Sequence, residues 1–112
     1  MLNDSFLNLL GLCRKAGRLS LGHDACKESI RFSKAQLMLI CSDASERLTE
    51  EMANLAKENG IKTYIIKYSM LDIKQALSFK AAIITVNDGG FSKSLINKLN
   101  ENKSGEERIY DK

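Results

Sequence analysis

The chain has 112 residues, 44% of them hydrophobic, and its 17 basic and 14 acidic residues leave a net charge of +3. This length suits one domain, and this apolar content argues against a disordered chain. No apolar run approaches the ~20 residues that a membrane span needs, and no basic segment precedes the first apolar residues, so neither a membrane span nor a secretory signal is predicted.

The distribution of charge indicates a kind of partner, and the spacing of the cysteines excludes two kinds of stabilising site. Residues 1–34 contain six basic and three acidic residues, so the whole net excess lies in the first third of the chain. A basic segment of this kind favours an anionic partner, although an ordinary solvated surface is the competing interpretation. The three cysteines, at positions 13, 26 and 41, are too widely spaced for a disulfide framework or a closed zinc site. We therefore expect small buried thiols and a cytoplasmic protein.

The first third of the chain predicts two helices joined by a short strand. Apolar residues recur at helical spacing over residues 2–13, where Asn3 or Asp4 can cap the helix. A brief strand is predicted over residues 18–21, and a second helix over residues 23–32.

A buried strand follows the second helix. Leu37–Cys41 is a run of five apolar residues between polar boundaries, which is typical of a strand covered on both faces. The rest of the chain alternates between helices and strands in the same way. The predicted elements are a helix over residues 45–59, a strand over 61–66, a short helix over 69–77, a strand over 81–86 and a last helix that begins at the turn 87–90.

Helices that alternate with strands predict an α/β fold with helices on both sides of a central sheet. From Asn100 the composition changes to NENKSGEERIYDK, which has almost no apolar periodicity. We therefore expect a single domain over residues 1–100 and a flexible C-terminal tail over residues 101–112.

Enzyme signatures are scarce in this sequence. The chain has no glycine-rich phosphate loop, no dinucleotide-binding fingerprint and no nucleophile elbow. His23 is the only histidine, and a nucleophile pair with Cys26 would lack a third group to orient it. We predict no catalytic residue, no metal site and no cofactor, and we expect that the protein is not an enzyme.

The start of the second helix is the strongest candidate for a binding site. A turn at Gly22 precedes it, and Ser20 and Asp24 are side chains that can cap it. The first turn of a helix presents free N–H groups with partial positive charge, which can receive an anion. Basic residues stand on both sides of this turn, namely Arg14, Lys15, Arg18, Lys27 and Arg31.

Three segments carry a resemblance to a known family. They are LLGLCRKAGRLSLGHD, KAQLMLICSDAS and ITVNDGGFSKSLINKL. In this order and spacing, over about residues 5–99, they resemble the bacterial YlxQ-like proteins of the ribosomal protein L7Ae/L30e superfamily. The resemblance implies a three-layer α/β/α sandwich with a central four-stranded mixed sheet. It also implies binding of structured RNA, a kink-turn in the best-known members, and association with the ribosome or translation.

The family's RNA-binding motif is only partly present. A glycine, one residue, Asn-Glu, two residues and a lysine open the second helix in the family. Here Gly22 matches the glycine, Asp24-Ala25 replaces Asn-Glu, and Glu28 stands at the lysine position. Because Asp24 offers no amide donor, we expect weaker discrimination of bases. In the family's second contact region, a loop leans apolar residues on a flipped-out base, and Phe79 stands in that loop here.

The resemblance and the basic residues together predict a protein that binds structured RNA. The predicted RNA-binding residues are Arg14, Lys15, Arg18, Gly22, Asp24, Lys27, Arg31, Phe79 and Lys80. The alternative is a protein-interaction module on the same fold, with the apolar loop facing another protein instead of RNA.

Overall fold

The computed structural model describes residues 4–107, and within them it has five helices and five strands. Their order along the chain is α1 (Ser5–Lys15), β1 (Leu19–Leu21), α2 (His23–Arg31), β2 (Leu37–Ile40), α3 (Glu46–Glu58), β3 (Lys62–Ile66), α4 (Met70–Leu77), β4 (Ile83–Val86), α5 (Gly89–Asn102) and β5 (Gly105–Glu107). The predicted helices and the four predicted strands are all present, with ends that differ by a few residues.

The strands form one mixed sheet in the order β1-β4-β2-β3-β5, so β2 is the central strand. β2 runs parallel to β3, where Leu39 lies opposite Tyr64, and antiparallel to β4, where Leu39 lies opposite Ile84. All four residues of β2 are fully buried. The prediction of a central strand covered on both faces is therefore confirmed.

Helices cover both faces of this sheet and make the predicted three-layer sandwich. Because side chains alternate along a strand, Leu37 and Leu39 pack on one face with the apolar residues of α1, α4 and α5. Met38 and Ile40 pack on the other face with those of α2 and α3. Each face of β2 thus belongs to a separate apolar core.

The strand count is the one correction to the predicted fold, because the sheet has five strands and not four. β5 pairs antiparallel with β3, with Glu106 opposite Ile65. A Cβ on Gly105 would approach the Ile65 carbonyl oxygen to 3.0 Å, so the glycine permits this close pairing. The sequence of this strand, Gly-Glu-Glu, has no apolar alternation that could predict it, because the strand is held by backbone hydrogen bonds to β3. Within the predicted tail, residues 101–102 therefore belong to the end of α5 and residues 105–107 form β5.

Side chains that cap helices account for several helix starts. Asp4 caps α1 by accepting a hydrogen bond from the Leu7 N–H at 3.0 Å. The predicted capping box of α4 is formed, because Ser69 Oγ accepts from the Asp72 N–H at 3.1 Å and Asp72 accepts from the Ser69 N–H at 2.9 Å. The other predicted N-terminal positions, at residues 2 and 3, and the end of the predicted tail, 108–112, lie outside the described residues.

Truncation of the central strand provides the test of this packing. Leu39→Ala should lower the free energy of unfolding by about 2–5 kcal/mol. The substitution truncates a fully buried side chain and leaves a cavity that its close-packed neighbours cannot fill. Leu71→Ala is the matched control, because Leu71 is 59% exposed and its loss should cost about 0.5 kcal/mol or less. Urea denaturation measures both, and a cost below about 1 kcal/mol for Leu39→Ala would contradict the packing.

Candidate functional site

The start of α2 differs from the other helix starts in the described residues. Its N-cap is Gly22, which makes no side-chain capping bond. The other four helices begin with an aspartate or serine side chain that accepts a backbone N–H, as Asp88 does at α5. The expected caps of α2 were wrong. Ser20 Oγ instead accepts a hydrogen bond from Asn87 at 3.0 Å, and the Asp24 carboxylate is fully exposed.

Gly22 joins this helix start to the sheet. Its N–H donates to the Ile83 carbonyl oxygen at 2.9 Å, which ties the end of β1 to the beginning of β4. Its φ of +96° and ψ of 165° lie in a region that essentially only glycine adopts. A Cβ there would meet nothing within 4 Å, so the glycine is required by its backbone conformation and not by crowding. The space beside the Gly22 Cα is therefore open.

The loop between α4 and β4 lies at the same end of the sheet. It leads from Ser78, which ends α4 with a φ of +61°, into Ile83, the residue that accepts the Gly22 N–H. The Phe79 ring in this loop is 45% exposed. The guanidinium of Arg14, from the last turn of α1, lies 5.8 Å from the centre of that ring, which is cation–π distance. Gly22 and the Phe79 loop thus lie at one end of the sheet, and the Arg14 side chain reaches the Phe79 ring.

The side of α2 that faces α3 is occupied by an ion-pair cluster that sequence reasoning missed. Glu51 Oε2 lies 3.0 Å from His23 Nε2 and 3.6 Å from Lys27 Nζ. The hydrogen bond from His23 holds the pKa of the Glu51 carboxyl below its usual range. Glu51 stands 28 residues from His23 in the sequence, so no local pattern could reveal the contact. Lys27 therefore points toward α3 and already has an anionic neighbour.

The remaining predicted residues separate into two groups. Lys15 and Lys80 are exposed, in the last turn of α1 and directly after Phe79. Arg31 lies at the far end of α2, where its guanidinium is 5.2 Å from the centre of the Phe32 ring. Arg18 precedes β1 at the end of that strand opposite to Gly22, where its carbonyl accepts the Asn87 N–H at 2.8 Å. The nine residues therefore do not form one patch.

The Cys26–His23 pair that would support catalysis does not form. The Cys26 thiol is fully buried and lies 3.3 Å from the Ser20 carbonyl oxygen. Burial raises the pKa of Cys26 to about 11, opposite to the shift that an activated thiolate requires. The ring nitrogens of His23 lie near the carboxylates of Glu51 and Asp24.

Residues 4–107 contain neither a cluster of metal ligands nor a helix that could span a membrane. No group of three or more His, Cys, Asp or Glu side chains is arranged to hold a metal ion there. In the same range, each helix is too short or too polar to cross a bilayer.

Comparisons with known proteins agree on a family. The model of the Ribosomal protein L7Ae/L30e/S12e/Gadd45 family matches residues 4–96. The RNA-binding protein YlxQ from Enterococcus faecium is 26% identical over 87 residues, which cover 78% of this chain and 84% of that protein.

Two solved structures share the fold. A protein with unknown function from Bacillus halodurans C has a TM-score of 0.81 and 21% identity, over 88% of this chain and 99% of its own. A Giardia lamblia 15.5kD RNA binding protein has a TM-score of 0.69 and 14% identity, over 92% of each chain.

The backbone requirement at Gly22 leads to a first prediction for this site. Gly22→Ala should lower the free energy of unfolding by about 1–3 kcal/mol, since alanine is strained at this φ and ψ although its Cβ has room. Gly11→Ala is the matched control. Gly11 lies inside α1 with equally open space, so alanine there should stabilise by about 0.5–1 kcal/mol through its higher helix propensity. Urea denaturation should give opposite signs, and equal signs would contradict the assignment.

The buried thiols lead to a second prediction. Burial raises the pKa of Cys13 and Cys26 to about 11 and that of Cys41 to about 12, so the native protein holds almost no thiolate at pH 8. An aromatic disulfide reagent should therefore modify none of the three quickly in buffer and all three in urea. Rapid modification of native Cys26 below pH 7 would contradict this account.

Proposed function

The chain belongs to the Ribosomal protein L7Ae/L30e/S12e/Gadd45 family, and from that premise we propose that it binds RNA at the end of the sheet where α2 begins. The observation that carries the proposal is the uncapped start of α2 at Gly22, which lies at the same end of the sheet as the loop whose exposed Phe79 ring contacts the Arg14 guanidinium. Similarity to the RNA-binding protein YlxQ supports the same conclusion.

Each part of this end of the sheet suits one component of RNA. The N–H groups of the first turn of α2 have no intrahelical partners, and with the helix dipole they favour a phosphate. The exposed Phe79 ring offers a face on which an unpaired base can stack. Arg14, Lys15 and Lys80 supply positive charge for neighbouring phosphates.

Two features indicate how selective this binding is. The Asp24 carboxylate projects fully exposed from the first turn of α2, where it repels a phosphate and cannot donate a hydrogen bond to a base. Lys27 shares Glu51 with His23, so a phosphate must compete with that carboxylate for it. We therefore propose that structured, kink-turn-like RNA is bound mainly through phosphates, with less selectivity for the kink-turn than Asn-Glu and lysine would give.

The cellular setting follows from the family and is part of the same proposal. The family description includes ribosomal proteins, which favours association with the ribosome or with translation in the cytoplasm. The buried thiols suit a reducing compartment, because none of the three cysteines forms a disulfide.

Titration of a kink-turn RNA and a matched plain duplex at two salt concentrations tests the proposal. Binding should weaken steeply as salt rises, because phosphate contacts release counterions. Arg14→Ala should weaken binding to both RNAs by about fivefold and flatten the salt slope by about one unit. Lys93→Ala, which removes the same charge from α5, should change neither quantity.

Three outcomes would overturn parts of this proposal. If neither RNA binds at low salt, RNA binding is excluded, and the exposed Phe79 loop is better explained by a protein partner. If Lys93→Ala weakens binding as much as Arg14→Ala, the site is misplaced. If the natural sequence prefers the kink-turn by a thousandfold or more, the missing motif residues do not determine selectivity.

Residue 24 offers a prediction with the opposite sign. Asp24→Asn should tighten binding to both RNAs by about threefold to fivefold, since it removes an exposed carboxylate at the phosphate position. Adding Ala25→Glu should then increase the preference for the kink-turn over the duplex. Glu101→Gln is the control, because it removes the same charge from an exposed position on α5. Equal gains from Asp24→Asn and Glu101→Gln would indicate an effect of net charge alone.

A further inference from the structure

A second concave surface lies at the other end of β1. This groove, of about 730 Å³, is bounded by β1 and Arg18 on one side and by the turn that joins α2 to β2 on the other. In the described residues no strand pairs with the outer edge of β1, so the groove opens along a free sheet edge. None of the residues proposed to bind RNA at the start of α2 lines this groove. Arg18, which is also predicted from the sequence to bind RNA, does line it.

The floor of the groove is a connected set of polar side chains. Ser29 Oγ donates to Asn87 Oδ1 at 2.7 Å, and Asn87 Nδ2 donates to Ser20 Oγ at 3.0 Å. Thr85 Oγ1 supports Ser29 from beneath at 3.3 Å, and both residues are buried. These bonds leave the Asn87 amide with one unused N–H and one unused lone pair. A side-chain amide held in one orientation can hydrogen-bond the edge of a base.

The rim of the groove carries an exposed aromatic ring and cations. Phe32, directly after α2, is 57% exposed, and the Arg31 guanidinium lies 5.2 Å from the centre of its ring. The Lys34 N–H donates to the Ser29 carbonyl oxygen at 2.9 Å, which holds the turn against α2. Arg18 and Lys34 line the groove with one acidic residue, Glu28, so its lining is cationic overall.

We infer that this groove holds an unpaired nucleotide of an RNA strand, a conclusion that rests on the proposed function. Phe32 stacks on the base, Asn87 and Ser20 bind its edge, and Arg18 and Lys34 bind the adjoining phosphates. This combination of an aromatic face, fixed polar groups and cations is how proteins recognise single-stranded RNA. β1 has three residues, so about 10 Å of strand separates Arg18 in the groove from Gly22 at the start of α2. One RNA can therefore contact both sites.

The experiment compares a blunt RNA hairpin with the same hairpin carrying a three-nucleotide single-stranded extension at either end. For the natural sequence, one of the two extensions should tighten binding by about tenfold. Phe32→Leu keeps the apolar volume but removes the aromatic face, so it should reduce that gain to twofold or less while leaving blunt-hairpin binding unchanged. Leu71→Ala, which truncates a side chain of similar exposure on α4, should retain the full gain.

A crosslinking measurement keeps the test independent of the variants. A photoreactive uridine in the extension should crosslink to the peptide that contains Phe32, and the same uridine in the stem should not.

The outcomes separate this inference from the proposed function. A blunt hairpin that binds, with no gain from either extension, would overturn the groove assignment and leave the proposed function standing. If the blunt hairpin does not bind but a short single strand binds in a Phe32-dependent way, the proposed function would be overturned and the groove assignment would stand. If adenosine monophosphate abolishes the gain in affinity that the extension gives, the groove would be assigned to a free nucleotide instead of an RNA strand.

Discussion

The burial of β2 on both faces is the constraint on which the rest of the structure depends. Four consecutive apolar residues, Leu37–Ile40, can be removed from water only if a helix layer covers each side of the sheet. The two cores that result hold α1, α4 and α5 against one face and α2 and α3 against the other. β4 pairs antiparallel with β2 on one side and with β1 on the other, so its first residues lie next to the end of β1. Every surface feature at that end follows from this arrangement.

The backbone hydrogen bond between Gly22 and Ile83 connects the core to the surface where RNA binding is proposed. It joins the start of α2 to the strand that follows the Phe79 loop, so two segments about sixty residues apart share one end of the molecule. The other helices close their first turns with their own side chains, whereas α2 leaves that place vacant. An anion at that position would satisfy the first turn instead, which is how the conformation of this glycine enters the proposed function. Glu51 limits the contribution of Lys27, and Asp24 opposes an anion directly.

The basic residues in the first third of the chain lie near the two ends of β1. The Arg14 side chain reaches the Phe79 ring near the end of this strand, while Arg18, Arg31 and Lys34 lie toward its start, where an exposed aromatic ring and a polar floor accompany them. Each end combines a π face with positive charge, although they are built from different loops. In the proposed binding mode, an RNA that follows the free edge contacts both ends, so the basic residues of the first third of the chain form a line of contacts and not one patch.

The sequence by itself determined the layers. The signals for these layers act locally and can therefore be read from the sequence alone. They are apolar runs such as Leu37–Cys41, helical spacing, and capping residues such as Ser69 and Asp72. The family motif in addition singled out Gly22. The tertiary structure decided the rest. β5 has no apolar pattern because backbone bonds to β3 hold it, and the pairing of His23 with Glu51 joins residues on different helices. Lys27 was grouped with the other basic residues by proximity in sequence, yet the fold places its ammonium group beside Glu51 of α3. Pairing and direction are three-dimensional properties, and for this reason the sequence indicated which residues are basic but not which of them act together.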